Sequence, residues 1–482
     1  MTFTFHAVDR FVNRDHDLAA LEAWWASEDR NALNLHGRRR VGKSWLFRRF
    51  AHGKPATVLV AERLAPGAQL TRLAVQLEGS VGVLPQIADV AELFRLMYRL
   101  GAEEPHLVVL DEFPYLLPTA TAARGELLTS IQAVMEEERD RSKAKVVLCG
   151  SHVQQMQALM SEGSALRGRL TTLRVDPLRF GEAARLIEDT GAVERIERYA
   201  VAGGMARYLA ELGAGGPLDE LICNRLLDPN GALFNDPREV LEHELAQVGT
   251  YFSVLQELSG GEKALGEIAG ALRMPATSLP RPLDTLRDMA VTERRTPVDA
   301  RASEKSSRYR ISDPFLRFWF RFVFPFQEDL AAGLAPEDLY RLEIAPELAD
   351  HVAPVFESLC REWVRRNRGD RVSRVGSWWG PTTKAGRDQG RFTEEIDLIG
   401  VGRSRVAVMG ECKWTTKPLS VSILAALHEY KVPALTQRGL KAAREVETVL
   451  FCRTGFTDGL IEAAVADAQL TLVTLDELVA GL

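Results

Sequence analysis

At 482 residues, with 46% hydrophobic and 26% charged side chains, the chain is too long for one core and has the balance of a soluble protein of roughly two to four domains. A net charge of −6 excludes wholesale coating of nucleic acid, but it leaves room for local basic surfaces at Arg38-Arg39-Arg40 with Arg48-Arg49 and between Arg361 and Arg374. No apolar run is long enough to span a membrane, the amino terminus lacks a secretory pattern, and five scattered cysteines form no C-x-x-C pair. A cytoplasmic protein with structural thiols and no membrane partner is expected.

In chain order, Leu18, Leu21, Trp24 and Trp25 mark an amphipathic helix that leads into an apolar strand, Ala32-Leu33-Asn34-Leu35. Then comes Gly37-Arg38-Arg39-Arg40-Val41-Gly42-Lys43-Ser44, a G-x-x-x-x-G-K-[ST] loop between a strand and the helix-forming Trp45-Leu46-Phe47. Its glycines let backbone N–H groups curl around phosphates, the helix N-terminus adds a favourable dipole, and Lys43 supplies a point charge. ATP is the expected cofactor, held by residues 37–44 and the adjoining Trp45, with Ser44 on a Mg2+ ion. Thr57-Val58-Leu59-Val60-Ala61 reads as the next strand, followed by helical periods over Leu70 to Leu77 and Val90 to Leu100.

Leu107-Val108-Val109-Leu110 is continuously apolar, as in a central parallel strand, and ends in Asp111-Glu112. There Asp111 is expected to hold the magnesium through water and Glu112 to polarise the attacking water; the plain alternative is two exposed acids opening a loop. A further strand, Lys145 to Cys149, ends in Gly150-Ser151-His152, where Ser151 or His152 reads as a γ-phosphate sensor, or Ser151 simply as a helix N-cap. Arg167 and Arg169 flank Gly168 and suit either a guanidinium offered to a neighbouring subunit's γ-phosphate or structural ion pairs. The first reading implies an ATP-promoted homo-oligomer.

With Phe11-Val12-Asn13-Arg14, Gly203-Gly204-Met205-Ala206-Arg207-Tyr208-Leu209 and Asp313-Pro314-Phe315-Leu316-Arg317-Phe318-Trp319, these motifs resemble in order the archaeal-type ATPases of the AAA+/STAND-like group. Met205-Ala206 departs from that group's usual Val-Pro-like pair. The resemblance implies an α/β multidomain chain: an ASCE P-loop core over residues 1–179, a helical lid over 180–238 and a winged helix over 239–325. In the last of these, three short helices precede the strands Val291 to Arg295 and Tyr309 to Ile311. Its recognition segment, Thr277 to Arg287, carries two prolines and two arginines, so DNA and protein are equally open as its partner.

Residues 345–482 carry a second constellation. Asp397 lies in an acid-tipped strand and Glu411 and Lys413 in the next, at positions i and i+2 and so on one face. Two hard carboxylates suit Mg2+ or Mn2+, and Lys413 is placed to orient or deprotonate water. The pattern is similar to the PD-(D/E)xK nucleases, the restriction-endonuclease-like α/β/α fold, in which Glu357 of the preceding helix implies an additional acid. Solvent-facing acids on two amphipathic strands are the alternative. Trp378, Trp379 and Trp414 suit base stacking or the core. The leading expectation is an ATP-regulated, metal-dependent nuclease acting on DNA; the alternative is a nucleotide-dependent switch or scaffold that binds nucleic acid or protein without cutting.

Overall fold

The structure is a computed structural model that describes residues 14–29, 31–188, 190–245, 248–298 and 306–482. Of the motif that begins at Phe11, only Arg14 lies within the described residues. The chain divides into two compact units: the residues up to Leu178 together with Met205–Arg207, and Arg179–Gly204 together with Tyr208–Leu482.

The first unit is an α/β layer structure. After helix α1 (Asp15–Ala26), strand β1 (Ala32–His36) leads through the phosphate loop to α2 (Lys43–Ala51). There follow β2 (Ala56–Val60), α3 (Pro66–Val81), α4 (Val90–Arg99), β3 (His106–Asp111), α5 (Thr121–Glu138), β4 (Ala144–Gly150) and β5 (Leu170–Arg174). The five strands are parallel in the order β2-β3-β4-β1-β5. Parallel strands are covered on both faces, which is why β1 and β3 are buried without alternation and Leu107 to Leu110 are fully buried. Phe94, Met97, Ile131 and Val134 of α4 and α5 pack with Leu59, Val108, Leu110 and Leu148 in one core.

The second unit opens with short helices at Phe180–Ala183, Ala192–Ala202, Ala206–Leu212 and Leu218–Ile222, the helical lid expected after the core. The helices Val248–Ser259, Leu265–Leu272 and Pro280–Asp288 then precede an antiparallel sheet of β6 (Lys263–Ala264), β7 (Thr292–Arg295) and β8 (Arg308–Ile311) in the order β6-β8-β7, one strand more than the sequence suggests. Pro280 sits in the first turn of its helix, where its missing N–H costs nothing.

A second sheet is built from β9 (Arg374–Pro381), β10 (Thr393–Gly402), β11 (Arg405–Lys413), β12 (Ala442–Cys452) and β13 (Leu470–Val473), in the order β13-β12-β11-β10-β9. β9, β10 and β11 pair antiparallel, while β11, β12 and β13 pair parallel. The helix Leu348–Asn367 buries Val352, Val355, Phe356, Leu359, Trp363 and Val364, a stripe at helical spacing, against one face of this sheet. Leu427 and Leu435 cover the other face with Trp378, Ile396 and Met409, which makes an α/β/α sandwich. The sequence from Val421 to Tyr430 has a helical period. The structure there is divided into Ser422–Ala426, a π-helical Leu427–Lys431 and Val432–Gln437. All five cysteines are buried free thiols. Among the described residues, no helix is long and apolar enough to cross a membrane.

Candidate nucleotide site and the C-terminal ionic cluster

The phosphate loop is shaped by two backbone demands. A Cβ at Gly37 would lie 2.3 Å from the Val175 carbonyl oxygen, so the chain passes there only as glycine. Gly42 caps α2 at φ 104°, in the left-handed region open to glycine. Arg14 then fixes the loop from outside: it is buried, and its guanidinium donates to the Val41 carbonyl at 2.7 Å and the Asp176 carbonyl at 2.8 Å. Charge-assisted bonds of this kind contribute about 1.5–3 kcal/mol each. The sequence marks Arg14 only as part of a motif; its task depends on contacts 27 and 162 positions away.

Within the loop, Lys43 donates its ammonium to the Gly37 and Arg38 carbonyls at 2.8 and 3.1 Å. Ser44 donates to the Asp111 carboxylate at 3.3 Å, bridging the start of α2 and the end of β3. Burial raises the Asp111 pKa, and a hydrogen bond from the Cys149 thiol partly offsets that shift. Arg38 is buried, Arg39 and Arg40 are half-buried, and Trp45 is 55% exposed on α2.

Glu112 has φ 53°, a left-handed value uncommon for a residue with a side chain. Its carboxylate accepts the Ser151 hydroxyl at 2.9 and 2.8 Å and the Ser151 N–H at 3.3 Å. The residue read as a phosphate sensor is thus bonded to the residue read as the water-polarising base. Arg167 is exposed and Arg169 half-buried, and both face carboxylates of their own unit. Arg169 donates to Glu136 at 2.8 Å, and Arg167 lies 3.6 Å from Glu162.

In the C-terminal sheet, the pairing of β10 with β9 shifts register between Ile396 and Ile399, beside Asp397. Asp397 accepts the Cys412 N–H at 3.0 Å and the Lys413 ammonium at 2.7 Å. Lys413 also lies 2.8 Å from the fully buried Glu411, whose other oxygen accepts Lys431 at 2.6 Å. Burial would lower the Lys413 pKa, yet Asp397 and Glu411 raise it well above its ordinary value. Burial opposes ionisation of Asp397, but Lys413 and the Cys412 N–H hold its carboxyl below the ordinary range. Glu411 is shifted upward by burial and by Asp397.

Asp397, Glu411 and Lys413 therefore meet as their spacing indicates, with a lysine ammonium where a cation shared by the two acids would sit. Among the described residues, no group of three or more His, Cys, Asp or Glu side chains is arranged to hold a metal ion, and the two acids here are already paired with lysines. Glu357 is within the field of the cluster: burial raises its pKa, Arg361 lowers it and Asp397 raises it. Its carboxylate accepts Arg361 at 3.3 Å, and Arg361 in turn donates to the Asp397 backbone carbonyl at 2.9 Å. Lys431 carries no signal in the sequence, because it reaches Glu411 from a helix after the strand pair.

The arginines of β7 and β8 are spent inside their own unit. Arg295 binds Glu262 and Ser377, Arg308 lies 4.8 Å over the Trp379 ring and 3.7 Å from Glu395, and Arg310 binds Glu293 and Ser358. Trp379 donates to the Ser306 carbonyl at 3.2 Å, and the Val298 N–H to the Ser377 carbonyl at 3.0 Å. Trp378, Trp379 and Trp414 are all buried, so of the two roles open to them the core is the one observed. The helix Pro280–Asp288 balances Arg281 and Arg287 with Asp284 and Asp288, and Arg287 pairs with Asp284 at 2.9 Å.

A five-stranded parallel sheet, a glycine-shaped loop before α2 and a Ser44–Asp111 bridge define a P-loop domain. Residues 29–184 match the AAA domain family. Residues 319–425 match a family of archaeal and bacterial proteins of unknown function. An uncharacterized protein of Methanocaldococcus jannaschii is 25% identical over 412 residues, 84% of this chain and 87% of its own length. An uncharacterized ATP-binding protein of the same organism is 41% identical over 49 residues, 10% of this chain and 83% of its own. Among solved structures, the Walker-type ATPase of Pyrococcus abyssi aligns at 20% identity with a TM-score of 0.46, covering 64% of this chain and 96% of that one.

Proposed function

We propose that the protein is an ATP-hydrolysing switch whose second unit binds nucleic acid or another protein. The observation that carries this reading is the Ser44–Asp111 contact of 3.3 Å, which joins the phosphate loop to the acid-tipped strand across 67 positions. A hydroxyl and a carboxylate at that distance fit a magnesium ion, which Ser44 and Asp111 would hold and which would neutralise charge on the phosphates. The loop N–H groups bind the phosphates and Lys43, released from the Gly37 and Arg38 carbonyls, contributes its charge. Glu112 accepts a proton from the attacking water. Lys43→Ala is expected to abolish nucleotide binding, measured by fluorescence of a labelled ATP analogue; unchanged affinity would refute the assignment. The Methanocaldococcus jannaschii relative described as ATP-binding, matched over 49 residues, supports the same reading.

A second reading is favoured by the convergence of Asp397, Glu411 and Lys413: a phosphodiester-cleaving centre on a restriction-endonuclease-like sheet, acting on DNA under control of the ATPase. It predicts scission that Asp397→Ala removes while ATP turnover persists. Absence of cleavage with ATP, with a non-hydrolysable analogue and without nucleotide, on double-stranded DNA, single-stranded DNA and RNA, leaves the switch as the function.

A further inference from the structure

The ATPase reading leaves open which cation meets the charge that develops on the transferred phosphoryl group. The two arginines that the sequence nominates for a neighbour's γ-phosphate, Arg167 and Arg169, already face Glu162 and Glu136. A different guanidinium lies at the carboxyl edge of the sheet. β2 ends at Val60, in register with Asp111, and the Ala61 N–H donates to the Asp111 carbonyl at 2.9 Å. The segment leaving β2 therefore starts one strand, about 4.8 Å, from the acids of β3. It carries Arg63, which is exposed and whose Cζ lies 5.8 Å from the centre of the Tyr115 ring.

Tyr115 belongs to the single 3₁₀ turn that begins immediately after Glu112, and its N–H donates to the Glu112 carbonyl at 3.0 Å. The Tyr115 ring meets His152 edge-on at 6.5 Å, and His152 follows Ser151, the residue bonded to the Glu112 carboxylate. Arg63, Tyr115, His152, Ser151 and Glu112 thus form one continuous rim. The electrostatics agree: burial and then Glu112 raise the Tyr115 pKa, whereas Arg39 and Arg63 pull it down. The neighbouring Glu62 is engaged by Arg72 at 3.1 Å, and no ion pair joins Arg63 to a carboxylate among the described residues. An arginine laid on an aromatic face keeps its direction while its N–H groups remain available.

We propose that Arg63 is the guanidinium that meets the γ-phosphate, and that it does so within its own chain. This rests on the ATPase reading. As the water oxygen bonds to the γ-phosphorus, the bond from that phosphorus to the β–γ bridging oxygen breaks. The bond's electron pair leaves with ADP, and the water proton passes to Glu112. Arg63 stabilises the charge spread over the equatorial oxygens. No neighbouring subunit is needed to complete the site.

The test uses the full-length protein with Arg63→Ala and Arg63→Lys, both at an exposed position, with thermal melts as a check on folding. Arg63→Ala is expected to leave the affinity for a fluorescent ATP analogue within a few-fold and to lower kcat by on the order of 10³. Arg63→Lys or added guanidinium should recover part of the rate, and wild-type turnover per chain should not depend on protein concentration. Wild-type kcat in Arg63→Ala would overturn the proposal, as would per-chain turnover that rises with concentration and is lost in Arg169→Ala. A wild-type protein that binds ATP and never hydrolyses it would overturn the ATPase reading itself, an outcome separable from the first two because the unsubstituted chain reveals it.

Discussion

The two acid-bearing sites of this chain are built from similar parts and left in opposite electrostatic states. At the phosphate loop, the donors lack a strong acceptor: Lys43 reaches only backbone carbonyls, and Ser44 touches Asp111 at 3.3 Å. In the C-terminal sheet, Asp397 and Glu411 are already neutralised by Lys413 and Lys431 at 2.6 to 2.8 Å. A triphosphate entering the first site replaces weak bonds with strong ones. A ligand entering the second must first displace an ammonium from a buried carboxylate. Readiness for a ligand is thus a matter of which bonds exist beforehand, rather than of which residue types are present.

The comparison can be broken most forcefully at Glu411. Replacing this fully buried acid by alanine leaves Lys431 and Lys413 short of a counter-charge, so a loss on the order of 3 kcal/mol in denaturant unfolding is expected, with ATP affinity unchanged. Stability equal to wild type would show that the ion pairs are dispensable. A smaller effect is expected at the N-terminal site. Ser151→Ala removes the hydroxyl that holds Glu112, and with about 1.5 kcal/mol released, kcat should rise by roughly tenfold at constant ATP affinity. A fall in kcat would instead support the sensor role expected from the sequence.

The smallest effect concerns pH. Because the folded Asp397 carboxyl lies below its ordinary value, its ion pair adds stability above about pH 4 and loses it as pH falls through the depressed folded value. Asp397→Asn should flatten the part of the acid limb of a stability–pH curve that lies below about pH 4. An unaltered limb would assign that slope to other carboxylates.

What was legible in the sequence was what lies close together along it. The phosphate loop, the Asp111-Glu112 tip and the Glu411–Lys413 alternation are short patterns in which backbone period alone decides which side chains share a face. Lys431 on Glu411, Arg361 on the Asp397 carbonyl and Arg14 on the Val41 carbonyl depend on how separate elements pack, and no local period encodes that. Ser151 lies between the two cases. Its position at a strand tip was readable, but its bond to Glu112 required β4 to lie beside β3 and Glu112 to adopt a left-handed backbone. The same holds at Asp397 and Glu411: spacing brings the acids and Lys413 together, yet it cannot announce that Lys431 will be there as well.

The attachment of β7 and β8 to the C-terminal sheet bears on how such a chain can be recombined. Arg295, Arg308 and Arg310 draw partners from Ser377, Trp379, Glu395 and Ser358, all beyond residue 350. A chimera joined near residue 345 would keep these three guanidiniums with Glu262 and Glu293 but discard Ser358, Ser377, Trp379 and Glu395, leaving Arg308 without its ring and its carboxylate. The three-stranded sheet and the sandwich after it are therefore inherited together, and with them the upstream helices whose Phe180, Ile196 and Ala200 share the sandwich's core.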